Sequence, residues 1–197
     1  MTERKPRKDA ARNRAAVLAA ADDLFVRCES PDDVTMADVA TAAGVGKGTL
    51  FRAFGDRVGL VAALYAARLE PVEEAVETGP APLGPGTPAR ERVAALLDAI
   101  LCFKLDNRGL ALALEAAGRD SPYGAGHYER WHSLLRAVLE EVPGLADGEF
   151  AAHALLAAVR ADLVEHLAGR QGVSRERMRA QLADYTARVL GSPAVRA

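Results

Sequence analysis

A chain of 197 residues holds one large domain or a small domain joined to a larger one, and half of its residues are apolar, so a sizeable core can be buried. That apolar half is mostly alanine and leucine with few aromatics, which favours helices, and no stretch alternates apolar and polar residues as a half-exposed strand would. The formal charge is −2, no apolar run reaches the roughly eighteen residues of a membrane span, and Cys28 and Cys102 stand in neither a zinc nor a redox spacing.

The polar start of the chain lacks the apolar stretch of a signal peptide, so a cytoplasmic location is expected. Residues 1–58 carry ten Lys or Arg against nine Asp or Glu, a net of +1, while the remainder nets −3. Residues 1–11 read as a flexible basic arm: Arg4, Lys5, Arg7 and Lys8, with Arg12 and Arg14 just beyond, face only Glu3 and Asp9. Such an arm suits a polyanion.

The first helix is expected over Arg12–Cys28, where Leu18, Ala21, Phe25 and Cys28 recur at helical spacing and Ser30, Pro31 and Asp32 break the pattern. Thr35 then caps a second helix, with Asp38 three positions on and Val34 and Val39 placed as a hydrophobic staple. Gly44 ends it, and Val45 turns inward. A third short helix spans about Lys47–Ala53, and Gly55–Asp56 stops it and caps a fourth from Arg57. Pro71 is expected to end or kink that fourth helix. Residues 78–88, TGPAPLGPGTP, form a Pro/Gly linker in which neither helix nor strand is expected. Further helices are placed at about 88–106, 107–118, 124–142, 148–169 and 174–190.

Thr35–Phe54 reads TMADVATAAGVGKGTLFRAF, two short helices around an Ala-Gly-Val turn. That is the pattern of a helix-turn-helix, in which the second helix offers its first residues to the major groove of DNA. Thr35, Val39-Ala40, Ala43-Gly44-Val45, Gly48-Thr49-Leu50-Phe51, Phe54 and Leu60 resemble the amino-terminal signature of the TetR family of transcriptional regulators over about residues 12–65. The chain departs from the family pattern at three places: Phe51 stands where a tyrosine usually meets phosphate, Arg57 where a lysine opens the fourth helix, and Gly46 where a serine follows the turn.

The resemblance implies an all-α protein with residues 12–56 as the DNA-binding domain, 57–77 as a connecting helix, 78–88 as the linker, and 89–197 for ligand binding and dimerisation. The DNA-contacting set is then Thr35, Lys47, Gly48, Thr49, Phe51, Arg52 and Arg57. Thr35 holds phosphate by its hydroxyl or the amides of its helix start, Lys47 and Thr49 meet base edges, Gly48 permits close approach, and Arg52 and Arg57 meet the backbone.

One head offers too few base contacts to single out a site in a genome, at about 1–3 kcal/mol each, so a homodimer on a palindromic operator is expected. The expected interface comprises Leu156, Val159, Leu163 and Leu167 on one helix and Met178, Leu182, Tyr185 and Val189 on the last, which in TetR relatives form a four-helix bundle. The competing reading of these stripes is burial within their own subunit. Phe103, Leu110, Leu114, Tyr123, His127, Tyr128 and Trp131 gather the large side chains of the middle helices into a candidate pocket for a small-molecule effector.

No catalytic residue, cofactor or metal site is expected. His127 and His132 are five apart; Glu149 and His153 have one-turn spacing, but two ligands do not make a site. The leading expectation is a repressor released from its operator by a ligand. An activator or ligand-requiring regulator on the same fold remains open, as does a helical binding protein or enzyme whose head no longer reads DNA.

Overall fold

The computed structural model describes residues 4–28, 33–116, 126–145 and 147–191. Ser30–Asp32 and Tyr123 lie outside the described residues. The helices are α1 (Arg4–Arg27), α2 (Met36–Ala42), α3 (Lys47–Phe54), α4 (Arg57–Thr78), α5 (Ala89–Asp106), α6 (Arg108–Ala116), α7 (Gly126–Glu140), α8 (Gly148–Ala157), α9 (Ala161–Glu165) and α10 (Arg175–Leu190). A single π-helical turn, His166–Arg170, extends α9, and no strand occurs among the described residues. The protein is all-α, as the alanine- and leucine-rich composition requires.

Contacts divide the chain into Met1–Arg68 and Leu69–Ala197, so the boundary falls inside α4, not at the Pro/Gly segment. In the first unit Val17 and Ala21 of α1, Val39 and Ala40 of α2, Leu50 and Phe54 of α3, and Leu60, Val61 and Leu64 of α4 are buried. In the second, α5 packs on α7 and α10, α7 on α8, and α6 on α9. Its core is built from residues such as Leu96, Leu97, Leu135, Leu139 and Leu155.

Three expectations of local structure are corrected or narrowed. First, α1 begins at Arg4 and not Arg12, so the described part of the basic stretch is helical, not a flexible arm. Arginine, lysine and alanine are all good helix formers, and the stretch holds no glycine to stop propagation.

Second, of the end or kink expected at Pro71 the end is excluded: α4 continues through it to Thr78, as a connecting helix over 57–77 requires. Proline there removes the donor that would bond the Ala67 carbonyl, but both residues are exposed, so water can satisfy that oxygen.

Third, the helix expected over 148–169 is broken at Ala158–Arg160. The break is stabilised from afar: the amide of Ala161, at the new helix start, donates to Glu115 Oε2 at 2.9 Å. Glu115 also takes the Lys104 ammonium at 2.6 Å, with both side chains about nine-tenths buried. The Pro/Gly segment is itself fixed by Arg92, whose guanidinium donates to the carbonyls of Leu83 (2.9 Å) and Val76 (3.0 Å).

Candidate nucleic-acid interface

The helix-turn-helix is fixed by local chemistry at each joint. Thr35 caps α2 in a reciprocal box: the Asp38 amide donates to Thr35 Oγ1 at 3.2 Å, and the Thr35 amide donates to Asp38 Oδ2 at 3.1 Å. The Thr35 hydroxyl also donates to that carboxylate at 2.5 Å, and these bonds hold Asp38 below the usual carboxylate range. The hydroxyl hydrogen is thus committed to the cap. Val34 and Val39 are both buried, as the staple requires.

Gly44 makes the turn with φ of 64°, a left-handed conformation that side-chain-bearing residues rarely adopt. The Val45 amide reaches back to the Ala40 carbonyl at 3.0 Å and closes the turn. Gly46 starts α3 without a side-chain cap. At the far end of α3, the Asp56 carboxylate accepts from the Gly59 amide at 2.8 Å and caps α4. A side chain at Gly59 would strike the Phe54 carbonyl, so the tight α3–α4 corner demands glycine.

Two arginines fix the orientation of this hairpin of helices. Arg14 of α1 donates to the Ala53 carbonyl at 3.3 Å, at the carboxyl end of α3, and lies 4.6 Å above the centre of the Phe54 ring. Arg57 Nε donates to the Val34 carbonyl at 3.2 Å and ties the start of α4 to the entry of α2. Arg68 pairs with Asp22 at 2.5 Å, joining α4 to α1.

The outward face of α3 follows from its helical period. Leu50 and Phe54 are buried and define the inward direction. At 3.6 residues per turn Arg52 points directly away, with Gly48 and Thr49 on either side of it. Lys47 shares the Phe54 stripe but is exposed because it opens the helix; Gly48 and Arg52 are exposed and Thr49 is half-buried. Phe51 is 48 % exposed, a large aromatic held in water beside a cationic helix start. An exposed helix with Lys47 at its start, Arg52 at its apex and an aromatic on its flank is the arrangement of a major-groove reader.

The fold and this face define a helix-turn-helix DNA-binding regulator. Residues 17–64 match the family model described as "Bacterial regulatory proteins, tetR family". The chain is 26 % identical over 186 residues to an HTH-type transcriptional regulator of Staphylococcus aureus, covering 92 % of this chain and 96 % of that one. It shares the fold of a TetR-family regulator from Rhodococcus sp., with a TM-score of 0.67, 22 % identity, and 91 % and 99 % of the two chains covered. It also shares the fold of NalD, the secondary repressor of the MexAB-OprM multidrug efflux pump in Pseudomonas aeruginosa, with a TM-score of 0.59, 18 % identity, and 92 % and 96 % covered. Residues 17–64 thus carry the amino-terminal domain of TetR-family regulators, and the chain, similar over nearly its whole length to a helix-turn-helix regulator, is a DNA-binding transcriptional regulator.

The remaining candidate residues are distributed more widely. Of the expected pocket residues, Phe103 and Leu110 are buried, and Leu114, His127 and Tyr128 are half-buried. Burial, followed by the nearby Lys104 charge, pushes His127 below the ordinary histidine value. Trp131 alone of these lines a cleft of about 200 Å³, whose other walls are Glu73, Val76, Glu77, Arg92, Arg130 and Leu134. Arg130 bridges the two acids, 3.2 Å from Glu73 and 2.5 Å from Glu77. Sequence periodicity missed the α4 residues of this wall because they precede the Pro/Gly segment.

Of the expected interface residues, Leu156, Val159, Met178 and Leu182 are buried within the single chain. Leu163 and Tyr185 are 37 % and 40 % exposed, and Leu167 and Val189 are half-buried. No described helix is long and apolar enough to cross a membrane.

Proposed function

We propose that this protein is a cytoplasmic homodimeric repressor whose two heads read a palindromic operator and which a small molecule releases from DNA. The observation that carries the reading is the exposed face of α3, braced by Arg14 on one side and the Asp56 corner on the other. Arg52, expected to meet the backbone, instead stands on the outer face with Thr49, and both, with Lys47 at the helix start, address bases; Gly48 lets the helix sink into the groove. The amides that open α2 and the Arg57 side chain hold the backbone, and Phe51 replaces a phenolic phosphate contact with apolar contact. Likeness over nearly the whole chain to NalD, a repressor by its description, supports repression.

Leu163, Leu167, Tyr185 and Val189, left partly or largely exposed, form the contact with a second copy, while Leu156, Val159, Met178 and Leu182 support it from beneath. The effector occupies the cleft at Trp131. Its volume, about 200 Å³, lies below the usual range of about 300–1,000 Å³, so the effector is small or opens the cleft on entry. Glu73, Val76 and Glu77 in its wall belong to α4, the helix that also carries Leu60 and Leu64 into the core of the DNA-binding unit. A ligand that prefers one position of α4 thereby changes DNA affinity, with coupling of about 1–3 kcal/mol.

Trp131 is the single tryptophan of the chain and is its own reporter. Compounds that shift its emission are titrated against a DNA duplex selected from a random pool by the protein. The proposal expects such compounds to weaken DNA binding by about 5–150-fold. Tighter binding in their presence overturns release by the ligand, and unchanged binding overturns the cleft as the effector site.

A further inference from the structure

A second cluster in the larger unit is absorbed by neither the DNA interface nor the cleft. On α7, Tyr128 and His132 are one turn apart; on α8, Glu149 and His153 are one turn apart; and the two helices pack together. His132 Nε2 lies 3.6 Å from Glu149 Oε1, and His153 Nε2 lies 3.7 Å from the same oxygen. One ligand atom from each of the three residues falls within 4.8 Å of the others. For comparison, two donors each about 2.1 Å from a tetrahedral zinc ion lie about 3.4 Å apart.

One nitrogen of the cluster lacks an ordinary polar partner. His132 Nε2 is buried and makes no hydrogen bond. The two imidazole rings stack with centres 3.9 Å apart. Two imidazole nitrogens drawn up to one carboxylate oxygen form a donor set that a cation can share.

The surroundings complete the resemblance to a metal centre. Tyr128 Oη lies 2.6 Å from His153 Nδ1 and fixes that ring with Nε2 3.7 Å from Glu149 Oε1. Arg136 Nε lies 3.5 Å from Glu149 Oε2, the other carboxylate oxygen. Such outer partners are the usual means of orienting metal ligands.

We propose that His132, Glu149 and His153 bind one divalent transition-metal ion of the zinc type, clamping α7 to α8. Two histidines and one carboxylate leave a fourth tetrahedral position. Glu149 is 56 % exposed, so that position is open to water or to an exogenous donor. The site is independent of whether the head reads DNA.

The test uses the untagged full chain, stripped with a chelator and titrated with Co²⁺ while visible absorption is recorded; Zn²⁺ is then added as competitor. The proposal expects one Co²⁺ per chain with the intense d–d bands of a tetrahedral ion, its displacement by Zn²⁺, and a higher melting temperature with Zn²⁺. His132→Gln and His153→Gln each weaken uptake at least about a hundredfold. Glu149→Gln, at an exposed side chain whose loss cannot unfold the protein, weakens it at least about tenfold. Absence of both the cobalt spectrum and the melting shift at 100 equivalents of metal overturns the proposal. So does uptake that is the same in Glu149→Gln as in the unaltered protein.

Discussion

Gly48→Ala is expected to make the protein more stable and a poorer DNA binder at once. Gly48 lies in the first turn of α3, and a methyl group built on it meets no atom within 4 Å. Nothing in the fold therefore requires glycine there. Alanine in place of glycine in a helix contributes about 0.5–1 kcal/mol, in part by restricting the unfolded chain. For a chain of this length that raises the melting temperature by about 1–4 °C.

The same open space is the outer face of α3 beside Arg52, where the account places the floor of a major groove. A methyl group interposed there holds the helix off the bases and weakens contacts worth about 1–3 kcal/mol in each head. At about 1–2 kcal/mol per head, a dimer loses about thirtyfold to a thousandfold in affinity. Thermal melting by circular dichroism and fluorescence anisotropy on a selected duplex, at one fixed salt concentration, give both numbers. A stabilised variant with unchanged DNA affinity would refute the placement of Gly48 against DNA. A destabilised variant would refute the local geometry itself.

Gly46→Ser supplies the side-chain cap that α3 lacks, and the space at Gly46 admits a side chain, its nearest neighbour being Thr49 Oγ1 at 4.0 Å. Thermal melting should show a gain of a few tenths of a kcal/mol, with helix content unchanged. Glu115→Gln strands the buried Lys104 ammonium and weakens the acceptor at the start of α9. Denaturant unfolding should record a loss of about 3–5 kcal/mol, and a loss under about 1 kcal/mol would contradict the buried pair. Asp38 titrates below its ordinary value of 3.8 because Thr35 bonds its charged form. Its contribution is therefore present above pH 3.8 and is lost as pH falls through the lower folded value; in Thr35→Val, which keeps only the backbone amide's share, this part of the acid unfolding should shrink.

The helix-turn-helix was legible because its determinants are local. Thr35 and Asp38, Val34 and Val39, and Gly44 with its positive φ lie within a few residues of what they fix. Features that depend on distant residues were not legible. The break between α8 and α9 rests on Glu115, 46 positions earlier. His132 reaches Glu149 and His153 from another helix, so the spacing along α8 showed only two ligands. Apolar periodicity marked Leu156, Val159, Met178 and Leu182, but a stripe buried in its own subunit and one buried against a partner share the same period. At Pro71 the sequence left an end or a kink open; the helix continues because proline removes a bond but ends a helix only where nothing else satisfies the carbonyl, and at Ala67 the carbonyl belongs to an exposed turn.

In the proposed function α3 reads DNA in two copies. The most direct measurement is the affinity and stoichiometry of the full chain on a duplex selected from a random pool, against an unrelated duplex, across salt concentration, with Lys47→Ala/Arg52→Ala alongside. The account predicts a palindromic selected sequence, two chains per duplex, binding at least about a thousandfold tighter than to the unrelated duplex, and loss of that preference in the folded variant. Equal, weak and salt-sensitive binding to both duplexes, or a preference that survives the double substitution, would contradict it.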